Sequence, residues 1–168
     1  MRIRLVQVDE LPLLQEIERA ADDSFREIGM SDFAEGDVLP LDELVRYHQA
    51  GMAWAAVDDE DVPVAFLTAD HVDGNLHIEQ VSVHPGSARR GIGRMLLEHA
   101  AEQAMIAEIP ALTLNTCTEV PWNAPYYTRC GFLPMADDEL TPGLRELREK
   151  EAVRGLDRWP RTCMRRPV

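Results

Sequence analysis

Apolar positions recur every second residue at the start of the chain. In Arg2–Val8, Ile3, Leu5 and Gln7 point one way and Arg2, Arg4 and Val6 the other, which predicts a half-buried strand. The period then changes. Leu11, Leu14, Ile17, Ala21 and Phe25 recur at helical spacing, so a helix is expected over Glu10–Ile28, with Asp9 as N-cap, Pro12 in the first turn and Gly29 as the stop. Met30–Pro40 reads as a loop, and Leu41, Leu44, Val45 and His48 mark a short helix over Leu41–Ala50. Two apolar runs, Met52–Val57 and Pro63–Ala69, flank the acidic turn Asp58–Asp61 as a hairpin. A second hairpin, through Val72-Asp73-Gly74-Asn75, leads into a strand over Leu76–Val83.

The helical period returns after Gly91. Ile92, Met95, Leu96, Ala100, Ala104 and Met105 form an apolar stripe, and the helix is expected over Gly91–Glu108, stopped by Pro110. Ala111–Cys117 is the next strand. A long helix separates it from Leu76–Val83, so the two are expected to be parallel neighbours in a right-handed βαβ unit. A short helix over Trp122–Cys130, closed by Gly131, a strand from Phe132 to Met135, a helical or irregular stretch over Leu144–Arg154 and a final strand over Pro160–Arg166 complete the chain. The expected class is α/β with an α+β-type mixed sheet, mostly antiparallel, with one parallel crossover and helices on both faces.

The 168 residues suit a single domain over 1–168, with no internal repeat. No apolar run approaches the ~20 residues needed to span a bilayer, and the start of the chain lacks the apolar core of a signal peptide. Cys117, Cys130 and Cys163 form no CxxC pair, which argues against a disulfide framework or a metal centre and for a cytoplasmic location. A net charge of −13 disfavours nucleic acid and anionic membranes as partners. The charge is uneven: Thr141–Val168 holds eight basic and four acidic residues.

The stretch Leu76–Leu97 runs strand, tight turn, helix. Such a turn presents free backbone N–H groups and the positive end of a helix, an anion site. It is not a Walker A loop, because Ile92 and Gly93 follow Gly91 where Lys and Ser/Thr are needed. Nor is it a dinucleotide fingerprint, because Leu96 occupies the third glycine position. What remains is Arg89-Arg90-Gly91-Ile92-Gly93-Arg94: glycines that admit close approach and arginines that pair with phosphate. The plain alternative is a strand–helix turn with solvated arginines.

Val81-Ser82-Val83-His84-Pro85 followed by Ala88-Arg89-Arg90-Gly91-Ile92-Gly93-Arg94 resembles the acetyl-CoA motif of the GNAT superfamily of N-acetyltransferases. Ala88 stands where that family has Gln or Arg, which removes a side chain and leaves the backbone amides. A second block, Asn123-Ala124-Pro125-Tyr126-Tyr127 running to Gly131-Phe132, resembles the later segment of the same family, and the element order agrees from Arg2 to about Arg166. The resemblance implies an acetyl-CoA-dependent N-acetyltransferase that uses no metal. It puts Ala88, Arg89, Arg90, Gly91, Ile92, Gly93 and Arg94 on the pyrophosphate, Val81, Val83 and Asn123 along the pantetheine arm, and Tyr127 at the leaving sulfur. By the same analogy the C-terminal arm is a candidate dimer element.

An aliphatic amine is almost wholly protonated at pH 7, so a base that removes its proton helps most. Glu79 and His77 lie two apart on one strand and therefore share a face, and the base is either of them or water. Tyr127 is read first as a hydrogen-bond donor to sulfur, because a phenol is a weaker acid than the thiol it would form. Asn123 is also a natural N-cap, a role compatible with the first. Cys117 reads as a small buried apolar residue. The acidic residues Asp22, Asp23, Glu27, Asp32 and Glu35 point to a small cationic amine as acceptor. A protein N-terminus or lysine, and a non-catalytic acyl-CoA-binding domain, are the alternatives.

Overall fold

The computed structural model describes all 168 residues. Their contacts group into two compact units, Met1–Ala69 with Gln80–His99, and Asp70–Glu79 with Ala100–Val168. The strands run β1 (Arg2–Leu5), β2 (Ala53–Val57), β3 (Pro63–Val72), β4 (Asn75–Val83), β5 (Ala111–Cys117), β6 (Leu133–Pro134) and β7 (Arg161–Pro167). The helices are α1 (Leu11–Asp22), α2 (Ser31–Ala34), α3 (Leu41–Gln49), α4 (Ile92–Ile106), α5 (Ala124–Arg129) and α6 (Pro142–Val153). The sheet order is β1-β2-β3-β4-β5-β7-β6, mixed, with β4 and β5 as the parallel pair. Residues of β3, β4 and α4 belong to both units.

In the first unit, the apolar stripe of α1 (Leu11, Leu14, Ile17) and that of α3 (Leu44, Tyr47) close over Ala53, Ala55, Val57 and Phe66. These four share one face, since alternate residues of β2 point the same way and Phe66 stands opposite Ala55. Trp54 turns to the other face and meets His99 of α4 edge-on, with centroids 5.7 Å apart. Every residue of β2 is buried, because both of its faces are covered.

Three expectations are corrected here. The strand at the chain start presents its other face: Leu5 is exposed and Val6 buried. Arg4 can take a half-buried position because Glu10 receives two of its N–H groups, at 3.0 and 2.6 Å, which removes the penalty that alternation alone assigns to it. The α-helix ends at Asp22, and the chain continues to Ile28 as a tighter 3₁₀ turn that sets Phe25 against Phe33, ring centroids 4.2 Å apart. Gly29 does end this segment, at φ 77°. The loop after Met30 contains the four-residue helix α2.

In the second unit β4 and β5 pair over three positions, Leu76 with Leu112, His77 with Thr113 and Ile78 with Leu114. β5 pairs antiparallel with β7 over all seven of its residues, and β6 adds to the outer edge of β7. Asp73 and Gly74 form the hairpin turn with φ 50° and 82°, the left-handed pair that an Asp-Gly turn supplies. Along α4, whose residues up to His99 belong to the first unit, the buried set is Ile92, Leu96, Leu97, Ala100, Ala101 and Ala104, while Met95 and Met105 are exposed. The stripe therefore follows i, i+4 rows centred one position away from the methionines.

Candidate active site

The first unit carries the glycine turn. β4 ends at Val83, and a 3₁₀ turn over Pro85–Ser87 is closed by the Gly86 N–H donating to His84 Nδ1 at 3.0 Å. The chain then reverses through Arg89 at φ 61° and Gly91 at φ 74°, and enters α4 at Ile92. A Cβ on Gly91 would find nothing within 4 Å, so the space over this turn is open, and the left-handed backbone is what calls for glycine. The first intrahelical bond runs from the Met95 N–H to the Gly91 carbonyl, which leaves the earlier amides of the helix as free donors. Arg89, Arg90 and Arg94 are exposed, and none pairs with a carboxylate. Ala88 is exposed and Ile92 buried, so Ile92 anchors the turn. Val81 and Val83 are half-buried, on the same face of β4.

The second unit carries the titratable groups. His77 is 2% exposed, and its Nδ1 lies 2.9 Å from Thr113 Oγ1 on the opposing strand. Burial pushes the imidazole down to about 4, and the nearby Asp70 carboxylate offsets only part of that. His77 is therefore neutral at neutral pH. Glu79 is half-buried, two residues on and on the same face. The β4–β5 ladder stops at Ile78–Leu114 although both strands continue, so Glu79 and Asn115 are the next residues of that face.

Tyr127 sits on the last turn of α5. That turn ends in a Schellman motif: Gly131, at φ 94°, donates its N–H to the Thr128 carbonyl at 3.1 Å, and Phe132 donates to the Tyr127 carbonyl at 3.0 Å. The ring of Tyr127 meets Phe132 edge-on at 5.9 Å and Tyr126 at 5.5 Å. Burial raises the phenol well above its usual value, with Cys130 adding to the shift. The hydroxyl therefore stays protonated, a donor. Asn123 stands at the helix start and accepts the Tyr127 N–H on its backbone oxygen at 2.9 Å. Its side chain makes no cap bond, so the expected N-cap role is carried by its backbone alone.

Cys117 is buried and accepts a long hydrogen bond from Arg161 Nη1, 3.4 Å from its sulfur. Burial nevertheless raises the thiol, so it is a poor nucleophile. The acidic residues named as an acceptor lure are partly spent within the fold: Arg26 pairs with Asp23 and Glu35. Asp22 is half-buried and pushed up to about 7. The sequence reading missed Thr113, which contacts His77. The alternation in Ala111–Cys117 carried the signal, since it puts polar Thr113 and Asn115 on one face, but the register that sets Thr113 beside His77 is a tertiary fact. The described residues hold no group of three or more His, Cys, Asp or Glu suited to a metal ion. No helix is long and apolar enough to cross a membrane.

Comparison with known proteins gives one consistent answer. The Acetyltransferase (GNAT) family matches residues 14–132. The peptidyl-lysine N-acetyltransferase YjaB of Salmonella typhimurium is 35% identical over 95 residues, which cover 55% of this chain and 58% of that protein. The chain thus spans little more than half the length of this relative. The PaiA N-acetyltransferase of Thermoplasma acidophilum, solved with coenzyme A, superposes with a TM-score of 0.66 at 15% identity, covering 99% of this chain and 98% of that one. The ribosomal-protein-S18-alanine N-acetyltransferase of Escherichia coli gives 0.68 at 16%, covering 99% and 93%.

Proposed function

The chain belongs to the GNAT acetyltransferase family, an acyltransferase family, and on that premise we propose that it moves an acetyl group from acetyl-CoA to a primary aliphatic amine. The observation that carries the cofactor assignment is the turn into α4. Arg89 and Gly91 hold it left-handed, its amides are open, and three unpaired arginines stand around it. An anion with the charge of a pyrophosphate fits this set. Several N–H bonds to a charged group contribute about 1.5–3 kcal/mol each, more than the helix end alone. Bound acetyl-CoA supplies an activated acetyl thioester. Ala88, Arg89, Arg90, Gly91, Ile92, Gly93 and Arg94 hold its phosphates, and Val81, Val83 and Asn123 line its arm.

The remaining chemistry falls to side chains. Glu79 takes the acceptor's proton, directly or through water. His77 is neutral and held by Thr113, and it orders the face on which Glu79 stands. Tyr127 donates a hydrogen bond to the departing sulfur, a role its raised phenol suits, since the proton stays on oxygen until late. The YjaB relative favours a lysine side chain as acceptor. The partial neutralisation of the acidic cluster weakens the case for a free small cation.

The test is thiol release from acetyl-CoA with three acceptors: a lysine peptide with a blocked N-terminus, a peptide with a free N-terminus and no lysine, and a small diamine. Release with the lysine peptide first among them is expected. Thermal stabilisation by acetyl-CoA without release from any acceptor would instead indicate a non-catalytic binding domain. No stabilisation at all would remove the cofactor assignment, since a ligand at ~100 times its Kd adds ~2.7 kcal/mol.

A further inference from the structure

One buried polar atom on the His77–Glu79 face of the second unit has no partner. Asn115 follows Thr113 on β5, on the face that meets His77. Its amide nitrogen donates to Glu151 Oε2 of α6 at 3.2 Å. A carboxylate can only accept, so this contact fixes the amide orientation and commits the carbonyl oxygen to the other side. That oxygen is shielded from solvent and accepts no hydrogen bond.

Glu151 is itself firmly held. Arg161 grips it with Nε at 3.2 Å and Nη2 at 3.1 and 3.3 Å, and Arg148 adds a contact at 3.3 Å. The Arg161 and Glu151 side chains are 9% and 13% exposed. The chain Arg161–Glu151–Asn115 therefore holds an oriented acceptor atom beside the residues proposed for proton removal. An unsatisfied buried carbonyl is costly, and a donor arriving there recovers that cost.

We propose that Asn115 is an acceptor-binding residue, whose side-chain oxygen takes an N–H of the amine being acetylated, with Glu151 and Arg161 as positioning residues. The inference rests on the acetyltransferase reading of this site. The oxygen is shielded from solvent, so the acceptor reaches it by displacing the groups packed over it.

The experiment compares the wild-type chain with Asn115→Leu, close in volume and unable to accept, using acetyl-CoA and the blocked lysine peptide. The expected result is a rise of about tenfold in KM for the peptide, with KM for acetyl-CoA within about twofold and no fall in melting temperature. A peptide KM unchanged in Asn115→Leu overturns the proposal, as does an equal rise in both KM values, which would report a disturbed strand. Hydrogen exchange on the wild-type chain gives a reading independent of any variant. Amides of β5 around Asn115 should change protection on adding the peptide to the CoA complex and not on adding CoA alone, and no change with the peptide overturns the proposal. A wild-type chain that acetylates no amine fails the acetyltransferase reading itself and this inference with it. A wild-type chain that turns over while Asn115→Leu matches it fails this inference alone.

Discussion

The Asp73 carboxylate accepts a hydrogen bond from the Gly143 N–H at 2.7 Å, joining the β3–β4 hairpin turn to the start of α6 across 70 residues of sequence. Thr141 occupies the N-cap position of that helix but makes no cap bond, so a distant side chain does the capping. Two consequences can be measured. Asp73→Asn should lower the melting temperature. Its effect should fade as pH falls, because the Thr141 side chain first, and the Gly143 N–H after it, hold Asp73 below the usual carboxylate range. A group whose folded pKa is depressed contributes above its ordinary value and loses that contribution as pH falls through the folded one. Gly143→Ala should also destabilise, because its Cβ would lie 2.7 Å from Asp73 Oδ2 and 2.8 Å from Val72 Cγ1.

His77 behaves in the opposite chemical sense with the same pH sign. Burial lowers it from 6.5 to about 4, so the unfolded chain binds a proton that the folded chain refuses. Stability should therefore fall as pH drops from 6.5 towards 4, by up to about 3 kcal/mol. His77→Gln should flatten that limb in chemical denaturation. The limb should persist if the imidazole is not its source. The pH–rate profile above 5.5 should carry no inflection from His77.

Asp22 has the reverse dependence. Its carboxyl is raised from 3.8 to about 7 by burial, so folding favours the protonated form. The corresponding stability is complete below 3.8 and lost as pH rises through 7. Asp22→Asn should raise the melting temperature at pH 8 and leave it nearly unchanged at pH 4. An equal gain at both pH values would refute burial of the charge as the cause.

Tyr127→Phe removes one hydroxyl and keeps the ring that meets Tyr126 and Phe132. The melting temperature should hold within a few degrees while kcat falls by roughly 100–1,000-fold, the range expected for losing a donor to a developing charge. Unchanged kcat would take Tyr127 out of the chemistry.

What was legible in the chain was what local pattern determines. β5 is bounded to the residue as read, Ala111–Cys117, because Pro110 precedes it and seven residues of mostly apolar character follow. The Asp-Gly turn, the Gly29 and Gly131 stops and the parallel crossover follow from backbone chemistry and chain length. The exposure of Leu5 was not legible, because it depends on Glu10 neutralising Arg4. Nor were the Thr113 contact to His77 and the Asp73 cap on α6, each of which joins residues at least 36 apart. The strand–turn–helix course through Arg89 and Gly91 was legible from the glycines and the return of the helical period, and the roles of its residues rest on the family resemblance. The proposed acceptor side was not legible, because the contacts it rests on join β4, β5, β7 and α6, whose pairing only register reveals.

The unequal stitching of β5 has a kinetic consequence. Three pairs join it to β4, across a separation of 36 residues between His77 and Thr113, and seven join it to β7, across 44 between Cys117 and Arg161. Its main partner is thus the one that needs the wider loop closed first, which delays contact formation. The β3–β4 hairpin, closed by a two-residue turn, should already be ordered in the folding transition state, with β7 joining after it. Truncating Met164, which is fully buried, to alanine should then accelerate unfolding and leave the folding rate almost unchanged, whereas Gly74→Ala should slow folding. A chevron in which Met164→Ala slows folding as strongly would put the long-range ladder in the nucleus instead.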